Sequence, residues 1–508
     1  MFTRLWPAFA ACCLLGCGES DSSGGSSSGG GGTQSSGGSG GSGATGGGSG
    51  GGGGTPIPSC AGAGGASGGK VFHVATSGTT GGDGSAGDPW DLPTALLGPA
   101  AVLPGDTVLV HGGVYSGGFV SKLAGQSGAP ITLRSAPGEW AVLDGQSSTE
   151  PTLQVYKQWV VIRDLEITNS KTDRQSSRPS GIYVEAQHAK LVNLIVHDVG
   201  TGIICNSAGA QNPEFALELE VAGNILYNNG WDDVDRSHGH HLYLQNRDGT
   251  KHVRDNVLFN AFGFGVHAYS DSDTYFAQGY ELAGNVWFGN GAASAIPESA
   301  GAAESKYYDG CLVGHNGTHP VSRLELRENY GWAQGLGERS LRLGWDAPNE
   351  DVKLEDNYIV GQTIFQPSWQ SVTMTGNTFI GDVSGVTTAS HPNNTYLTNA
   401  PSGAKVVVRP NPHQPGRAHV IVYNWDQADS VELDVTSVVP IGASYELRSV
   451  QDVFGAPALS GTFDGKPLSL PMVAPKVAQP IGLPGAITAA EQPGKRFDVL
   501  LLTSACPP

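Results

Sequence analysis

The chain has 508 residues, with 28 Lys and Arg against 46 Asp and Glu, for a formal charge of −18. That balance excludes nucleic acid as a partner and broad electrostatic capture of an acidic polymer, leaving local basic clusters as the places to hold an anion. Helical periodicity is nearly absent, so strands and turns are expected throughout.

Met1 to Gly16 carries one early positive charge, Arg4, then an apolar run too short to span a bilayer. This is the layout of a signal peptide. Residues 18–59 are almost entirely Gly and Ser. Such a segment buries no apolar area and behaves as a flexible tether with a reach on the order of 35 Å. No second long apolar stretch follows. The remainder suffices for one large elongated domain, 60–390, and a smaller one, 400–508.

The ending Leu14-Leu15-Gly16-Cys17 resembles the lipobox of bacterial lipoproteins. The resemblance implies cleavage before Cys17, acylation of its thiol, and an exported protein at the outer membrane or cell surface, touching the membrane only through that anchor. Cys12 and Cys13 would leave with the signal. Of the remaining cysteines, Cys60 and Cys506 bracket the folded part and are placed to staple its ends. Cys205 and Cys311 sit in strand-like segments, as expected of core thiols. Spacing alone leaves the pairing open.

Between residues 160 and 380 one pattern recurs: alternating residues, then Asn, then a β-branched or aromatic residue. The Asn positions are 193, 224, 256, 285, 329, 357 and 377, at spacings of 20 to 44 residues. A repeat of this size means stacked supersecondary units. Second strand-like pieces lie between them, including GIYVEA, HHLYLQN, GVHAYS and LRLGW. Short strands ending in Asn at a bend suit a parallel β-helix, in which inward Asn side chains form a ladder from coil to coil. A β-propeller would need four strands per blade and a closing repeat, and neither is visible.

The segment from Phe72 through PGDTVLVHGGVY and GAPITLRSAPGEWAVLDG resembles the first coils of bacterial pectin-lyase-like β-helix proteins, alginate lyases and chondroitinase-B-like lyases among them. The resemblance covers 70 to about 385. It implies a right-handed parallel β-helix with a short capping helix over Leu92–Leu103, and it is weak for activity. Residues 400–505 alternate differently, as expected of a small antiparallel β-sandwich, with Trp425 in its core rather than serving as a sugar platform. The fold class is all-β and the expected state a monomer.

Outward side chains of a parallel β-helix stack in columns about 4.8 Å apart, which makes a groove for a linear polymer. Alternation places Tyr183 and Glu185, then His241, Tyr243 and Gln245, then His267 and Tyr269 outward, with Tyr243 stacked on His267. Arg339 and Arg342 follow. The loop ahead, WDDVDRSHGHH, suggests calcium on Asp232, Asp233 and Asp235. The loop AIPESAGAAESKYYDG brings Lys306, Tyr307 and Tyr308 toward substrate.

β-Elimination next to a uronate needs a base, a neutralised carboxylate and an acid for the leaving oxygen. The expected assignment is His267 or His241 as base, with Lys306 as a rival. Tyr243 or Tyr269 would be the acid, and Arg339 or Arg342 would face the carboxylate, with Gln245 assisting. An acidic polysaccharide is the expected partner. Two alternatives stand: hydrolysis by paired carboxylates, and glycan binding without catalysis. Asp232-Asp233 and Gly239-His240 only faintly resemble the polygalacturonase signature, whose Asp-Asp and Gly-His lie about a full coil apart.

Overall fold

The computed structural model describes residues 69–146, 148–205, 216–234, 236–270, 273, 275–296 and 309–504. Cys17, Cys60, Cys506, Asp235, Lys306, Tyr307, Tyr308, the signal segment and the tether lie outside the described residues.

Each turn of the chain visits three parallel sheets in order. A representative coil is Lys190–Val192 in the first sheet, Ile195–His197 in the second and Ile203–Cys205 in the third. Among the described residues, the first and second sheets hold 11 strands each and the third 10. The lumen is filled by stacked apolar side chains, such as Leu191, Val221, Val253 and Leu282 from the first sheet. Ile203, Leu242, Val266, Cys311 and Leu341 stack likewise from the third. Cys205 and Cys311 are both buried in the lumen. A helix at the N-terminal end, Leu92–Leu96, buries Leu92, Ala95 and Leu96 and is capped by Asp91. It is shorter than the expected 92–103 because Gly98, at φ +74°, turns the chain out of it.

The bend between the first and second sheets carries the Asn ladder. The Nδ2 of Asn224 donates to Asn256 Oδ1 at 2.8 Å. The same bond repeats from Asn256 to Asn285, to Asn329, to Asn357, to Asn377 and on to Asn394, at 2.8–3.1 Å. Asn193 is out of phase by one residue. It occupies the left-handed position of the bend, φ +55°, that Gly223 and Asp255 fill in the next coils, and Leu194 takes the ladder site. Its amide instead donates to Gln414 Oε1 and accepts from Asn411 Nδ2, joining the coil to the C-terminal domain.

Inside the ladder, Asn285 donates to Val253 O and Asn329 Oδ1, and accepts from the backbone and side-chain amides of Asn256. Asn285→Ala leaves these buried groups unpartnered and is expected to cost about 3 kcal/mol, measured as a lowered urea midpoint.

The C-terminal domain has five antiparallel strands: Ala404–Pro410, Arg417–Asn424, Phe497–Ser504, Ser444–Ser449 and Leu459–Thr462. A two-stranded sheet, Ser430–Leu433 with Leu468–Pro471, packs over one face around Val420, Val422, Leu447, Phe463, Leu500 and Leu502. The other face, with Ile421, Tyr423, Phe497, Val499 and Leu501, docks on the second sheet of the coil. This explains the unbroken apolar runs ILY, VLF and VWF there, since a parallel sheet covered on both faces does not alternate. The covered column stacks His197, Tyr227, Phe259 and Phe288 at centroid separations of 4.7, 5.4 and 4.9 Å. Trp425 lies in this interface, its indole donating to the Tyr358 hydroxyl at 3.3 Å.

His197 closes the column between two carboxylates, Asp198 Oδ2 at 2.8 Å and Glu166 Oε1 at 3.1 Å. Burial opposes its charge, but Asp198 and Glu166 prevail and raise it to about 9. An unfolded histidine titrates near 6.5. The contribution, about 3 kcal/mol, is therefore fully present below about pH 6.5 and lost as pH rises through about 9. The denaturation midpoint should fall between pH 7 and 9.5, and His197→Gln should flatten that fall.

Candidate functional site

With the second sheet covered by the C-terminal domain, the third sheet presents the column that carries the chemistry. Its register aligns Gln154, Tyr183, Ile204, Tyr243, His267, Leu312 and Arg342 on successive strands. The expected Tyr243–His267 stack is present, with ring centroids 5.3 Å apart and edge to face.

The chain enters this face through a tight turn at Gly239, φ +85°. A Cβ there would sit 2.5 Å from Gly200 O and from the Gly230 Cα, so only glycine fits. The strand begins at Leu242, so the alternation does not extend back into the turn. His241, expected outward, is instead fully buried. Its Nε2–H donates to Phe259 O at 2.9 Å, Nδ1 accepts from Asn229, and burial lowers it to about 3. It is a structural residue of the coil wall. His240 takes the outward place.

His240 fixes the chemistry of His267. The Phe264 backbone N–H donates to His240 Nδ1 at 3.2 Å. A neutral His240 therefore carries its proton on Nε2 and donates it to His267 Nδ1, 3.1 Å away. Burial drives both imidazoles neutral. His267 is held at about 3, with the charges of Arg236 and Arg342 adding to the effect, and His240 lies well below its usual range. Neutral His267 must then bear its proton on Nε2, which makes that nitrogen a hydrogen-bond donor, where the sequence suggested a base.

Tyr269 packs its ring on His267 at 4.8 Å and meets the edge of Trp345 at 6.1 Å, in a cluster with Phe264 and Leu312. Arg342 lays its guanidinium over Trp345, 4.8 Å from the centroid. Its Nη2 lies 2.7 Å from Asp309 Oδ2, and Arg339 Nε 3.3 Å from Oδ1. Asp309 is fully buried, and burial raises its carboxyl despite both arginines. Gln245 lies past the end of its strand and is buried, its Nε2 3.5 Å from the Tyr243 hydroxyl.

The acidic loop folds as a small hairpin, Trp231–Asp232 against Ser237–His238. Asp232 is buried, and its oxygens accept from the Ser294 hydroxyl and the Ala295 N–H, both at 2.8 Å. Asp233 is exposed and accepts from the Val234 N–H. Among the described residues no three His, Cys, Asp or Glu side chains converge as a metal site. Asp235, the third expected calcium ligand, lies outside the described residues, and no step is routed through calcium.

Sequence reasoning noted His240 in the His- and Asp-rich loop without giving it a role, and passed over Arg236, Phe264, Trp345 and Asp309 as members of the site. The glycines flanking His240 and Phe264 were the available signal, because they mark bends where period-two alternation lapses.

No curated protein matches. Similar solved structures include pectate lyase Pel9A, at 18% identity over 65% of this chain and 79% of that one, TM-score 0.44. An alginate lyase from Paenibacillus sp. str. FPU-7 matches at 16% over 65% and 99%, TM-score 0.37. A rhamnogalacturonan lyase matches at 14% over 65% and 88%, TM-score 0.44. Residues 72–280 match the family described as Pel9A-like, right handed beta helix region, and this part of the chain is accordingly a right-handed parallel β-helix.

Proposed function

We propose that the chain is a polysaccharide lyase that cleaves a uronic-acid-containing polymer by β-elimination on the third-sheet face. The observation that carries the reading is the hydrogen-bonded chain from the Phe264 amide through His240 to His267, which ends in a fixed Nε2–H donor beside Tyr243. In this reading His267 Nε2–H and Arg342 hold and neutralise the uronate carboxylate, which acidifies the neighbouring C–H. Tyr243, as phenolate, takes that proton and returns it as phenol to the departing glycosidic oxygen, and the C–O bond breaks as the C=C bond forms. The charges of Arg236 and Arg342 reach the neighbouring His267.

Hydrolysis needs two carboxylates that flank the bond. Beside Tyr243 and His267, Asp309 is locked between two arginines and Asp232 is committed to Ser294 and Ala295, while the remaining outward carboxylate, Glu185, stands two strands away from Tyr243. The exported context, with Cys17 as lipid anchor, agrees with a polymer substrate outside the cell. The test is incubation of the protein with pectate, alginate and glycosaminoglycans. Rising ultraviolet absorbance from unsaturated ends is expected. New reducing ends without that absorbance would support hydrolysis, and binding without new ends would support a glycan-binding protein.

A further inference from the structure

The column continues past Tyr243 toward the N-terminal end of the coil, and its chemistry changes. Two strands away stands Tyr183, about 10 Å along the stack. Its hydroxyl donates to Glu185 Oε1 at 2.9 Å. The ring of Tyr156 meets it edge to face at 6.4 Å, and the Tyr156 hydroxyl donates to Gln154 Oε1 at 2.6 Å. All four side chains are half-buried on the outward face. Glu185 has no ion pair among the described residues, and burial, partly offset by the Tyr183 hydrogen bond, raises its carboxyl.

The opposite end of the groove has the reverse sign. Arg339 and Arg342 pair with one carboxylate, Asp309, and the charges of Arg236 and Arg342 reach His267. One outward face therefore joins a cationic end to an end of tyrosines whose carboxylate, Glu185, has no ion pair among the described residues. A uronate seated over Tyr183 would place its charge beside Glu185 in a half-buried site, where repulsion is weakly screened. An uncharged pyranose there would stack on tyrosine and donate hydroxyls to Glu185 and Gln154. We infer that the groove selects a heteropolymer, with a uronate over His267 and Arg342 and a neutral sugar over Tyr156 and Tyr183. This rests on the acidic-polymer reading of the groove and narrows its substrate class.

The test is affinity electrophoresis of the full chain in four polymers. Polygalacturonate and alginate are the all-uronate probes, and hyaluronan and rhamnogalacturonan backbone are the alternating ones. The wild type should bind at least one alternating polymer about tenfold more tightly than either homopolymer. Glu185→Lys should reverse that ratio, and the near-isosteric Glu185→Gln, which spares the fold, should narrow it. Equal or tighter binding of a homopolymer by the wild type, a ratio unchanged in both variants, or binding to none of the four would overturn the inference. If the binding pattern holds but no polymer yields unsaturated ends, the substrate inference stands and the lyase reading falls.

Discussion

His267→Ala is expected to lower kcat/KM by about a thousandfold, the usual worth of a positioned proton-transfer or oxyanion donor group. His267 is buried on the outward column, so its removal opens space without unpairing a charge, and the coil should stay folded. The informative variant is His267→Gln. Its amide carries an N–H donor to nearly the same place, and should retain activity about tenfold or more above the alanine variant. If His267 were the base, glutamine would be as inactive as alanine. The pH profile separates the two roles again. With His267 held at about 3, it remains neutral across the ordinary range, so kcat/KM should show no inflection near 6.5 from this residue. A base on His267 with an ordinary value would give an acid limb there.

The second large effect is on stability. Asp198 is buried, pairs with Arg174 and His197, and accepts the Ile481 N–H at 2.8 Å. Arg174 in turn donates to Ile481 O at 2.8 Å, and the Asn228 amide to Ala478 O. One carboxylate thus ties the segment around Ile481 to the coil. Asp198→Ala strands the buried Arg174 guanidinium and leaves the His197 imidazolium to Glu166 alone, and should cost about 3–5 kcal/mol, seen as an early thermal transition. Asp198→Asn, which keeps one acceptor, should cost less. A loss within experimental error for Asp198→Ala would show that the cluster does not hold the two domains together.

The coil was legible because its signal repeats. Asn224, Asn256, Asn285, Asn329, Asn357 and Asn377 share one position in successive coils, and no local accident produces that phase. Asn193 joined the pattern by composition only, since one position earlier in the bend also favours asparagine, for its tolerance of positive φ. The Tyr243–His267 pair was legible because both lie inside strands, where alternation is strict. His241 was not, because Gly239 turns the chain immediately before the strand and resets which side chain faces out. The hydrogen-bonded chain through His240 depends on a backbone amide from the next coil, a contact across 24 positions that no local pattern encodes. The covering of the second sheet was hidden for a similar reason. Its apolar runs say that both faces are buried, but not by what.

The central claim is elimination at the Tyr243–His267 face. It is tested most directly by digesting the cleaved acidic polymer in oxygen-labelled water and weighing the products. Elimination breaks the glycosidic bond without consuming water. Elimination should give products that carry an unsaturated end and, weighed before the new reducing end exchanges its anomeric oxygen with solvent, lack label at the cleavage site, at a rate that collapses in His267→Ala. One labelled oxygen per cleavage, or an undiminished rate in that variant, would contradict it.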